Sequence, residues 1–87
     1  MTREEIFGVV REHLREELEL DVSAIRENTR FREDLDADSL DLYTLVQELE
    51  DSYGVKIPDE DAARILTVGQ AVDYVLHHGG DRMRADR

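Results

Sequence analysis

The chain has 87 residues, 40% apolar and 38% charged, with one Pro, no Cys and a formal charge of −11. That length makes one small domain, which buries only about 60–65% of its unfolded surface and so has a thin core. The charge excludes a phosphate backbone as an easy ligand and favours basic protein partners, while no apolar run reaches the ~18 residues of a membrane span.

Thr2 with Glu5 forms a capping-box pattern, and Ile6, Val9, Val10, Leu14 and Leu18 recur at helical spacing. A first helix is predicted over residues 3–19, with Phe7 and His13 at its edges. The polar start, Met1 to Glu5, reads as lacking a signal peptide. Residues 20–37 hold no period and are rich in turn formers, so they predict a long loop tied down by Val22, Ile25, Phe31 and Leu35. Phe31 is the expected core plug.

A second helix is predicted over Ser39–Tyr53, with Asp38 as N-cap, Asp41 returning the bond and Gly54 as the left-handed stop. Its core stripe is Leu42, Leu45, Val46, Leu49 and Tyr53; Leu40, Tyr43 and Gln47 project away from it. Val55 and Ile57 read as buried, and Pro58 opens a short helix over 59–64. Thr67 and Gln70 cap a last helix over 68–77, with Val68, Ala71, Val72 and Val75 inward and Gly79-Gly80 as its end. Residues 79–87 are expected to be a disordered tail after a domain at 1–78. The fold class is all-α: a small antiparallel four-helix bundle of three main helices and one short one, with a long first loop.

The charge is not spread evenly. Glu33 to Asp51 carries eight carboxylates and no Lys or Arg, and the next ten residues add three carboxylates against Lys56. Ten of the eleven net negative charges therefore lie in one third of the chain. Asp34, Asp36 and Asp38 match the first ligands of an EF-hand loop, but Ser39 and Leu45 stand where that loop needs Gly and Glu. No metal site is assigned.

Ser39 sits in the middle of this acidity, at the start of the second helix. A serine there is commonly no more than a helix-start residue. Yet a helix N-terminus offers free amides and the positive end of the dipole, a seat for phosphate that an enzyme can reach. A hydrolytic role would need a base, and the spacing of His13, His77 and His78 directs none of them to Ser39. The chain is not expected to be an enzyme.

Several segments together resemble the acyl carrier proteins, from Thr2 to His77. Phe31-Arg32-Glu33-Asp34-Leu35 is similar to that family's lead-in, and Asp38-Ser39-Leu40-Asp41 to its attachment motif. Val55 to Asp61, Thr67-Val68 and Ala71 to Val75 look like its later segments, in the same order. Asp36 stands where the family most often has Gly; Tyr43, Thr44 and Gln47 replace an aliphatic residue, a Glu and a Met of its recognition face.

The resemblance implies that a phosphopantetheinyl transferase (holo-synthase) moves 4′-phosphopantetheine from coenzyme A onto Ser39, with Asp38 and Leu40 beside it. It implies a partner face of Leu40, Asp41, Tyr43, Gln47, Glu50 and Asp51 for basic patches on acyl transferases, ketosynthases, reductases and dehydratases. It further implies a monomeric, cytoplasmic carrier of acyl thioesters for fatty-acid synthesis. Polyketide or other specialised acyl or aminoacyl chemistry is the alternative, and a more remote one is an acidic helical interaction module with no prosthetic group.

Ten crowded charges should strain the fold by self-repulsion that salt screens. The melting temperature is expected to rise from low to moderate NaCl; a flat or falling thermal-denaturation series would refute this.

Overall fold

The computed structural model describes residues 2–85, with side chains as far as residue 78. Four helices follow in order: α1 (Arg3–Leu18), α2 (Ser39–Tyr53), α3 (Asp59–Ala62) and α4 (Val68–Ala85). A single 3-10 turn, Val22–Ala24, interrupts the first loop. Among the described residues there is no strand, and no helix is long and apolar enough to cross a membrane.

Each main helix begins where its cap directs. Thr2 and Glu5 make a reciprocal capping box at α1, Asp38 and Asp41 at α2, and Thr67 bonds Gln70 at the head of α4. Gly54 ends α2 in the left-handed conformation, as a residue without a Cβ can at little cost. α1 packs against both α4 and α2, and α2 also meets α4. Between them lie Ile6, Val10 and Leu14 from α1, Leu45 and Leu49 from α2, and Val68, Ala71, Val72 and Val75 from α4. Leu42, Val46 and Tyr53 only flank that core.

Two expectations are corrected. Val22 is 37% exposed and is not an anchor: it opens a three-residue turn at the rim of α1, and Ile25 fills the core at that end instead. The second concerns Gly79-Gly80, through which α4 continues to Ala85. Glycine in a helix costs about 1 kcal/mol against alanine but, unlike proline, removes no donor and makes no clash, so an established helix can run through it. Residues 86 and 87 of the expected tail lie outside the described residues, as do the side chains from 79 on.

The long loop is fastened to the head of α4. Phe31 N–H donates to the Leu66 carbonyl at 3.1 Å, Val68 N–H to that of Thr29 at 3.0 Å and Gly69 N–H to that of Glu27 at 2.7 Å. Arg3 adds ion pairs to Glu27 and Asp73, joining α1, the loop and α4 at the surface. Thr29 is buried, and its hydroxyl accepts the Arg26 amide at 2.8 Å.

The strap leaves no room for a side chain at Gly69, where a Cβ would stand 2.9 Å from the Glu27 carbonyl oxygen. Gly69→Ala should therefore destabilise by about 1–3 kcal/mol despite alanine's better helix propensity. Gly8→Ala, with nothing within 4 Å of the new methyl, should stabilise by about 1 kcal/mol. Urea denaturation of the pair checks the prediction, which fails if both substitutions move stability the same way.

Candidate functional site

The site begins in the turn before α2. Asp34 and Leu35 amides both donate to the Arg30 carbonyl, Asp36 N–H donates to that of Arg32 at 3.1 Å, and Ala37 N–H to that of Phe31 at 2.9 Å. Closing this turn puts Asp36 at φ 57°, the left-handed region. Asp is one of the few residues other than glycine that tolerates that region, at some cost. The chain then leaves through buried Ala37 into the Asp38 cap, where Asp41 N–H donates to Asp38 Oδ1 at 3.0 Å and Asp38 N–H to Asp41 Oδ2 at 3.1 Å.

Ser39 is the first residue of α2 and is exposed. The turn folds the chain back so that Arg32, seven positions earlier, donates from Nη2 to Ser39 Oγ at 3.2 Å. Arg30 is occupied elsewhere: its guanidinium and its backbone amide both bond Asp34 and hold that carboxyl below the usual range. Arg32 makes no ion pair with any described residue.

Beside Ser39 a groove of about 370 Å³ runs between α2 and α3, lined by Arg32, Tyr43, Gln47, Glu50, Asp59 and several apolar residues. Leu40 and Tyr43 project from α2, 68% and 55% exposed, and Gln47 Nε2 donates to the Tyr43 hydroxyl at 3.2 Å. The acids of the expected partner face are not equivalent. Asp51 is exposed and Asp38 exposed but capping; Asp41 is half-buried in the same cap. Glu50 is half-buried too, its Oε2 accepting the Ile57 amide at 2.8 Å.

Thr44 does not share that face. It is half-buried against α1, its hydroxyl within donating distance of two acceptors, Glu17 Oε1 at 3.0 Å and the Asp41 carbonyl at 2.8 Å, with His13 Nε2 3.4 Å away. His77 contacts the Asp73 carbonyl and His78 stacks on Tyr74. The hydrogen-bond partner of Ser39 is thus a guanidinium, which holds its proton at any ordinary pH and cannot act as a base. Among the described residues no base contacts Ser39 Oγ.

Arg32 is the residue that the sequence did not single out. The segment between it and Ser39 is neither helix nor strand, so no periodicity relates the two, and the left-handed turn at Asp36 brings them together.

Comparison with known proteins decides the family. The phosphopantetheine attachment site family model matches residues 8–75. The chain belongs to the acyl carrier protein family. It is 46% identical over 80 residues to an acyl carrier protein of Lactobacillus acidophilus, covering 92% of this chain and all of that one. With that of Rubrobacter xylanophilus the identity is 50% over 78 residues, 90% of this chain and 96% of the relative. A solved acyl carrier protein from Enterococcus faecalis superposes with a TM-score of 0.77 at 38% identity, covering 90% of this chain and 99% of that one.

The carrier holds acyl chains through a covalent 4′-phosphopantetheine group. The residues around Ser39 fit a phosphate ester: an exposed hydroxyl, the positive end of a helix and a guanidinium with donors to spare. Relaxing the turn tests how much strain it holds. Asp36→Gly should stabilise the carrier by about 1 kcal/mol, a few degrees in Tm, by removing left-handed strain and one charge of the acidic cluster. A lower Tm would show that the Asp36 side chain supports the turn.

Proposed function

We propose that Ser39 is the residue that carries 4′-phosphopantetheine, and that the loaded protein delivers acyl groups to the separate enzymes of fatty-acid synthesis. One observation supports the attachment most directly: Ser39 Oγ is exposed at the first residue of α2, with Arg32 Nη2 3.2 Å away. A phosphopantetheinyl transferase would join the pantetheine phosphate to that oxygen. The new P–O bond replaces the phosphoanhydride bond of coenzyme A; the nucleotide half departs and the serine proton leaves to solvent or to the transferase.

Once in place, the group offers a thiol on which acyl chains ride as thioesters. The protein's own part is to present, shelter and steer. A flexible tether raises the effective concentration of cargo at each partner. The acidic cluster speeds encounters with basic docking patches without making them tight.

Leu40 and Tyr43 supply the apolar centre of the proposed docking face, with Asp38, Asp41, Gln47, Glu50 and Asp51 around them. Asp51, exposed and with its carboxylate bonded to no described residue, is the acid best placed to meet a partner; Glu50 and Asp41 also serve the fold. The protein works as a cytoplasmic monomer and performs no chemistry itself. Its carrier unit is residues 1–78, since Val75 is the last core residue and Leu76 the last apolar side chain packed on the core among the described residues, and residues 79–87 form a dispensable extension. A carrier for polyketide or other specialised acyl chemistry is the second reading, favoured by the polar Tyr43–Gln47 pair on the docking face.

Intact mass after incubation with coenzyme A and a broad-specificity transferase tests the attachment. Wild type, and a chain ending at His78, should each gain one phosphopantetheine, and Ser39→Ala none. No gain on folded wild type would overturn the proposal.

A further inference from the structure

Arg32 stands out once every other cation near Ser39 has been accounted for. Among the described residues it is the only cation lining the groove, which Glu50 and Asp59 also line. Arg30 is bound to Asp34, and no Lys or Arg occurs from Glu33 to Asp51. Of its five donors the guanidinium spends one on Ser39 Oγ, at 3.2 Å. We propose that Arg32 holds the phosphodiester at the root of the prosthetic arm, an inference that rests on Ser39 as the attachment residue.

The chemistry follows from that contact. On loading, Ser39 Oγ becomes a bridging ester oxygen, and the two non-bridging phosphate oxygens, which share one negative charge, lie just beyond it on the phosphorus. A guanidinium that already touches the bridging position reaches them through its planar fork, the geometry that suits Arg to phosphate. Without it the ester's negative charge would sit among Asp36, Asp38 and Asp41 with the helix dipole alone to offset them. With it, the first bonds of the arm are held over the turn and the mouth of the groove, and the remainder stays free to swing.

Thermal melts of unloaded and loaded protein, in wild type and in Arg32→Gln, separate this role from a merely structural one. Loading is confirmed by intact mass. Loading should shift Tm more favourably in wild type than in Arg32→Gln, by about 2–4 °C for an exposed ion pair in a domain this small. That difference should shrink at high salt. The phosphorus-31 resonance of the loaded protein should also move on substitution. If Arg32 only props the loop, both forms lose stability equally and the resonance stays put, which overturns the proposal. If neither protein gains mass, the Ser39 assignment itself fails and this inference falls with it.

Discussion

The first turn of α2 is held from outside α2. Phe31 is the largest fully buried side chain, 1% exposed, and it sits between two sets of backbone bonds. On one side Thr29 and Phe31 are tied to Leu66 and Val68; on the other, Ala37 N–H returns to the Phe31 carbonyl. Burying a phenylalanine stabilises by about 1.5–3 kcal/mol, and each backbone bond adds about 1 kcal/mol net. The position of Ser39 therefore depends on the packing of a loop against α4. A small bundle can afford a long irregular segment because that segment supplies core residues of its own: Ile25, Phe31, Leu35 and Ala37.

The same economy governs the acidity. Ten net negative charges crowded into one third of the chain oppose compaction. Part of that charge is used locally. Asp38 and Asp41 satisfy amides at the head of α2, Glu50 that of Ile57 in the segment after it, and Asp34 is paired with Arg30. The surface can stay negative for partners while several of its charges also close the backbone.

What was legible in the sequence was local. Capping boxes at Thr2, Asp38 and Thr67, the Gly54 stop and the apolar stripes of α1, α2 and α4 all rest on spacings of three or four residues, and helix geometry alone interprets them. What was not legible required a tertiary partner or an unusual backbone. Thr44 turned out to serve the α1 contact because Glu17 and His13 lie across from it. Glu50 looked like a free surface acid until the chain after Gly54 folded back to present the Ile57 amide. Val22 and the run of α4 past Gly79-Gly80 show the same limit, for apolarity does not fix depth and glycine only weakens a helix. The Arg32–Ser39 contact is the plainest case. It spans seven residues across a left-handed Asp, and no periodicity anticipates it.

The open groove and the closed seam behind it set a last constraint on how a carrier of this shape shelters cargo. The groove between α2 and α3 holds about 370 Å³, but the apolar seam deeper in, lined by Leu45, Leu49, Ile65 and Ala71 among others, holds about 10 Å³. That is at most about one water's worth of space. An acyl chain cannot enter the core through that seam without parting its walls. The wall most able to yield is α3: four residues long, without a side-chain cap and with no fully buried residue. α2, which begins with Ser39, is capped at both ends and rooted by Leu45 and Leu49, so it is the firmer wall. Local openings draw on such weakly anchored elements, so the seam parts more readily on its α3 side than on its α2 side.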